Sequence, residues 1–145
     1  MAVAGPGAAA PGELEAAEAV GRELARLGAV VVCGGLGGAM EAVCRGARSA
    51  GGLTVGILPG TERAAANPFV DVAIATGLGE ARNAVLVRAA DALVAVGGGH
   101  GTLSEIALAL RTGRRVVGLA TWAVDGVEEA ASPEAAARSA LGAPI

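Results

Sequence analysis

Three short runs in this chain join glycine to side chains that can bind anions or move protons. Gly34, Gly35, Gly37 and Gly38 precede Met40. The run Gly97-Gly98-Gly99-His100-Gly101-Thr102 precedes Glu105, and Gly79 leads into Arg82 and Asn83. Glycine lets the backbone approach a ligand and turn its N–H groups toward an anion. Where such a loop opens a helix, the helix dipole adds to that attraction. Arg82 falls in the first turn of a predicted helix, where a cation is disfavoured. A bound anion would compensate, and a guanidinium suits bidentate phosphate recognition; the plain alternative is a solvated arginine pairing with Glu80. Asn83 can hydrogen-bond the same group. Thr102 and Glu105 have the spacing of a capping box, with Thr102 as N-cap. However, Leu103, Ile106, Ala107 and Leu110 mark an apolar helix face. Glu105 lies nearly opposite it, toward a ligand or a partner subunit. His100 can stack on a base, touch phosphate, or be a tolerated loop residue.

A repeating unit of apolar strand, glycine turn and helix positions these runs. Strands are expected at Ala2–Ala4, Ala29–Cys33, Leu53–Leu58, Val70–Ala75, Ala92–Val96 and Arg115–Leu119, with a short one near Val127. Helices are expected at Gly12–Leu27, Ala39–Ser49, Glu80–Ala90 and Thr102–Thr112, and a last one is opened by Ser132-Pro133 as N-cap and N1. Glu13, Glu15 and Glu18 favour the start of the first helix, and Gly28 stops it. Continuous apolar strands alternating with helices mean a parallel sheet covered on both faces. The expected architecture is a single α/β domain over residues 1–145, a Rossmann-like doubly wound sheet of six or seven strands. Ligands bind such sheets outside the C-terminal strand ends. Gly5, after the first strand, belongs to that set of strand-end glycines.

Composition narrows the chemistry. In 145 residues the net charge is -3, and 53% of residues are hydrophobic. No basic stripe is present, so nucleic acid is not an expected partner. Every basic residue other than His100 is arginine. Without lysine there is neither a phosphate-loop lysine nor a pyridoxal Schiff base. One histidine and two separated cysteines cannot build a four-ligand zinc site, so no metal site is expected. Cys33 and Cys44 read as packing residues, reduced in a cytoplasm. The start of the chain lacks a signal-peptide pattern and no stretch is long and apolar enough for a membrane span. Trp122 reads as cover for a subunit contact, with a ligand lid as the lesser alternative. The glycine pattern also misses the dinucleotide fingerprint, because Leu58-Pro59 stands where an acid should follow.

The run Gly97-Gly98-Gly99-His100-Gly101-Thr102-Leu103-Ser104-Glu105 resembles the PGGxGTxxE signature of the Lonely Guy family, and Gly34–Met40 is similar to its GGGxxGLM segment. Some of those proteins are cytokinin riboside monophosphate phosphoribohydrolases. Within that superfamily the chain looks most like the molybdenum-cofactor carrier branch. The shared segments are Gly77-Leu78-Gly79-Glu80-Ala81-Arg82-Asn83 and Gly118-Leu119-Ala120-Thr121-Trp122. The resemblance implies catalytic roles for Glu105 and Arg82 in a hydrolase, and Gly97 and His100 depart from that signature, which has Pro and Tyr there. It implies a carrier for a phosphorylated pterin or nucleotide. The alternatives are a nucleoside 5′-monophosphate phosphoribohydrolase and a nucleotide-signal sensor, the last disfavoured because no effector domain is appended. No cofactor is required; the molybdenum cofactor enters as a bound ligand. The expected partners are a phosphorylated small molecule and further copies of the chain, as a homodimer or homotetramer.

Overall fold

The computed structural model describes residues 1–143. Strands and helices alternate as β1 (Ala2–Ala4), α1 (Pro11–Arg26), β2 (Val31–Cys33), α2 (Ala39–Ser49), β3 (Thr54–Leu58) and β4 (Val72–Ala75). They continue as α3 (Arg82–Arg88), β5 (Ala92–Val96), α4 (His100–Arg111), β6 (Arg115–Leu119), β7 (Val127–Glu129) and α5 (Pro133–Ala140). Among the described residues, the seven strands form one sheet in the order β4-β3-β2-β1-β5-β6-β7. Every strand pair is parallel. The chain winds outward from β1 to β4, crosses back through α3, and winds outward again from β5. The reversal leaves a crevice beside β1 and β5, where such sheets bind ligands.

Side-chain alternation divides the core into two layers. Val3, Val31, Cys33, Val94 and Val96 meet α1, α2 and α5 on one face, through residues such as Val20, Leu24, Val43 and Ala136. Ala2, Ala4, Val32, Leu93 and Ala95 meet Leu86 of α3 and Ile106 and Ala109 of α4 on the other. β1 is only three residues long and wholly buried, so it forms the floor beneath the crevice. The small side chains permit close layers. A Cβ at Gly21 of α1 would strike the carbonyl of Val43, and one at Gly46 of α2 would strike that of Glu18.

Several expected boundaries shift. β2 and β4 begin later than Ala29 and Val70, because the backbone there is engaged elsewhere: Ala29 N–H donates to the Leu24 carbonyl at 2.9 Å, and Val70 N–H to the Asn67 carbonyl at 3.2 Å. The helix expected over Glu80–Ala90 splits into a 3-10 turn at Gly79–Ala81 and α3. Its start is tied down by the Gly79 N–H, which donates to the Pro59 carbonyl at 2.9 Å. α4 begins at His100 rather than Thr102. At the far end, Ser132 does cap α5, accepting from Ala135 N–H at 3.1 Å. Among the described residues no helix is long and apolar enough to cross a membrane.

Candidate functional site

Over the C-terminal ends of β1 and β5 lies an open cavity of about 450 Å³. That volume suits a ligand the size of a nucleotide or pterin. The β1 loop contributes Gly5, Pro6 and Gly7, and α2 contributes Met40. Pro59, Gly79, Glu80, Arg82 and Asn83 close one side, and Gly99, His100, Gly101, Thr102 and Glu105 close the other. Three segments expected to share a site thus meet around one space. Gly34, Gly35, Gly37, Gly38, Gly97 and Gly98 lie outside this lining. Pro6, Gly7, Pro59 and Glu80 were missed by sequence reasoning; the strand-end rule could have supplied Pro6 and Gly7, which follow Gly5 directly.

α4 is built differently from the capping-box expectation. Gly99 is its N-cap, in extended backbone, and no side chain caps it. Thr102 is therefore inside the helix, 2% exposed, with its hydroxyl oxygen lacking any partner. The buried stripe is Thr102, Glu105, Ile106 and Ala109, whereas Ala107 is exposed. The apolar face read from sequence was rotated because two polar residues occupy inward positions. Glu105 is 9% exposed, and its inward position places it against the cavity. Burial pushes its carboxyl up to about 7, opposed by the charge of Arg82. Among the described residues the two do not close an ion pair.

Arg82 is half-buried and does not pair with Glu80. Its Nη1 donates to the carbonyls of Gly34 and Ile57, both at 2.9 Å, bridging the ends of β2 and β3. Its Nε is buried without a partner, and burial lowers its pKa. Asn83 donates through Nδ2 to Ser104 Oγ at 3.0 Å, and its Oδ1 has no partner. The cavity thus gathers a guanidinium N–H, an amide oxygen, a hydroxyl and a carboxyl. Three of them, Arg82 Nε, Asn83 Oδ1 and Thr102 Oγ1, lack any partner, and leaving such a group buried and unsatisfied costs roughly 1–3 kcal/mol.

Glu13, from the first turn of α1, braces the site. It accepts from Ala10 N–H at 2.9 Å and from Gly98 N–H at 3.2 Å. Gly97 has a φ of 67°, and a Cβ there would strike the Glu13 carboxylate. Proline is locked near −65°, so the proline of the resembled hydrolase signature could not hold this loop in this shape. No local signal marks Glu13, which lies 85 residues from Gly98. Trp122 stacks with His100 and donates its indole N–H to the Gly99 carbonyl at 3.0 Å, so it stands at the rim of the site. Cys33 and Cys44 are both buried, with sulfurs 3.4 Å apart. The contact with Cys44 and burial raise the Cys33 thiol well above its ordinary range, as suits a packing residue. Among the described residues no group of three or more His, Cys, Asp or Glu side chains could hold a metal.

The family model described as the SLOG cluster4 family matches residues 1–141. The chain belongs to that family. An uncharacterized protein of Archaeoglobus fulgidus is 49% identical over 118 residues, covering 81% of this chain and 78% of that protein. Among solved structures, the molybdenum cofactor binding protein of the phototrophic bacterium Rippkaea orientalis is 40% identical with a TM-score of 0.87, over 92% of this chain and 89% of that one. The molybdenum cofactor carrier protein of Chlamydomonas reinhardtii is 35% identical with a TM-score of 0.85, over 95% and 92%. The SLOG cluster4 chain therefore shares its Rossmann-like architecture with cofactor carriers along nearly its whole length.

Proposed function

We propose that this SLOG cluster4 chain is a carrier that binds a phosphorylated pterin of the molybdenum-cofactor kind, or a nucleotide-like molecule, in the cavity over β1 and β5. One observation carries the reading: Arg82 Nε, Asn83 Oδ1 and Thr102 Oγ1 are buried without partners around a single cavity. The start of α4, uncapped by any side chain, supplies the N–H groups and dipole for the phosphate, with the Thr102 hydroxyl beside them. The likeness to two proteins described as binding or carrying molybdenum cofactor supports the pterin. As cargo, the cofactor would be gripped through its phosphate and ring. The test is to incubate the protein with cofactor released from a molybdoenzyme, separate free ligand by gel filtration, and measure retained pterin and molybdenum. Near-stoichiometric retention, reduced several-fold in Thr102→Val, is expected; no retention by the wild type overturns the reading.

A second reading, phosphoribohydrolase, has one observation in its favour. A carboxyl held near 7 can both give and accept a proton at neutral pH. Glu105 would then assist water attack at the ribose anomeric carbon while Arg82 holds the substrate. Release of free adenine from AMP, abolished in Glu105→Gln, would establish it. Gly97 weighs the other way, since its loop shape is closed to the hydrolases' proline.

The carrier is proposed to be a homodimer or homotetramer. Val72 and Ile74 are 43% and 45% exposed on the side of the sheet that carries Ile57, and Val85, on the helix that packs against that side, is 40% exposed. Light scattering at micromolar concentration should give a mass at least twice that of the chain. A monomer would remove this part of the proposal.

A further inference from the structure

Trp122 is the only tryptophan of the chain and His100 its only histidine, and the fold brings the two rings together. Their centroids are 6.2 Å apart and their planes differ by 20°. Trp122 is also fastened by its indole N–H to the Gly99 carbonyl, in the loop that delivers His100. The turn that brings Trp122 here is strained. Ala120, two residues earlier, has a φ of 50°, the one positive value at a non-glycine position among the described residues. Such strain persists where the surroundings over-determine it, and it clusters at functional sites. His100 lines the cavity and remains exposed, so its imidazole has surface left for a ligand. Phe69, the other aromatic residue, lies under Arg45 and is absent from the cavity lining.

We propose that His100, held in place by Trp122, is the wall on which the planar heteroaromatic ring of the ligand stacks, so that the site selects phosphates bearing a purine- or pterin-like ring over ringless ones. This rests on the anion site proposed at the start of α4. The phosphate would sit on the first N–H groups of that helix, and His100 is its first residue, so a ring a few bonds from the phosphate falls within reach of the imidazole. Stacking on an aromatic side chain tolerates any flat heterocycle, which fits a wall rather than a hydrogen-bonded reader of one base. Trp122 acts through His100 as a positioning residue.

The experiment compares AMP and 6-hydroxymethylpterin phosphate with ribose 5-phosphate and inorganic phosphate, by calorimetry and by the fluorescence of Trp122. At least one ring-bearing probe should bind about tenfold more tightly than ribose 5-phosphate and quench the tryptophan. In His100→Ala the ratio of ring-bearing to ringless affinity should fall close to one. His100→Phe should restore it, and Trp122→Leu should lower it. A wild type that binds ribose 5-phosphate as tightly as both ring probes overturns the wall and leaves the anion site standing. So does a His100→Ala ratio equal to the wild-type ratio, the result expected if His100 touched only phosphate. Failure of the wild type to bind any of the four probes overturns both the anion site and the wall.

Discussion

The loop from Gly34 to Gly38 and the loop from Gly97 to Gly101 each leave a buried strand and enter a helix, one on either side of β1. In the first, the backbone is committed to the protein itself. The Gly34 carbonyl accepts from Arg82, the Gly35 carbonyl accepts from Asn67 N–H at 2.8 Å, and a Cβ on Gly38 would strike the Gly7 carbonyl. In the second, Glu13 braces the entry at Gly98, whereas Gly99, His100 and Gly101 line the cavity and Gly101 has open space where a Cβ would project. Similar glycine content thus serves close packing of loop on loop in one case and leaves open space over the cavity in the other. What separates them is which neighbouring strand end fills the space above the turn.

The comparison breaks most readily at Gly38. It has a φ of 64° and touches backbone, which cannot move aside as a side-chain tip could. Gly38→Ala should destabilise the chain by about 3 kcal/mol or more in urea denaturation. A wild-type midpoint would show that the first loop is not packed as described.

Glu105, inside the helix that leaves the second loop, sharpens the comparison through pH. Its carboxyl lies at about 7 against an ordinary 4.5. Between those values the folded chain holds a proton that the unfolded chain has released. The stability this residue contributes is therefore full below pH 4.5, falls as pH rises, and is gone above 7. Glu105→Gln removes that fall. The variant should exceed the wild type by up to about 3 kcal/mol at pH 8 and match it at pH 4. A stability difference that is the same at both pH values would mean that the carboxyl titrates as a solvated group.

Arg82 belongs to both regions, since it ties the first loop and borders the cavity of the second. Arg82→Ala should cost about 2 kcal/mol of stability, from the loss of two charged hydrogen bonds, and should also weaken the binding of phosphate probes. Loss of affinity at unchanged stability would show that the bridge to Gly34 and Ile57 holds nothing together. The smallest effect is expected at Gly101. Gly101→Ala should raise stability by about 0.5 kcal/mol through helix propensity, while its methyl weakens phosphate binding severalfold. Unchanged affinity in calorimetry would place the ligand away from the start of α4.

The strands, their parallel arrangement and the concentration of glycine at their C-terminal ends could be read from the sequence. Those features follow from short-range pattern: continuous apolar runs such as Ala92–Val96, helical spacing between them, and a capping serine at 132. Helix starts were less legible. Thr102 and Glu105 satisfy a capping rule by type and spacing, yet Gly99 caps α4 without a side chain, and only tertiary packing turns both polar residues inward.

What the sequence by itself determined is therefore which groups gather at the strand ends, Arg82, Asn83, His100, Thr102 and Glu105, but not that His100 and Thr102 stand inside α4. Sheet order decided the rest. β1 lies between β2 and β5, so its Pro6-Gly7 turn separates the two glycine loops and becomes part of the cavity. The links that shape the site join segments remote in sequence, with Arg82 reaching Gly34 across 48 residues, Glu13 reaching Gly98 across 85, and Trp122 reaching Gly99 across 23. No local pattern encodes such pairs, because each partner satisfies its own helix or turn whether or not the other is present. Their meeting depends on which strands the whole chain sets side by side.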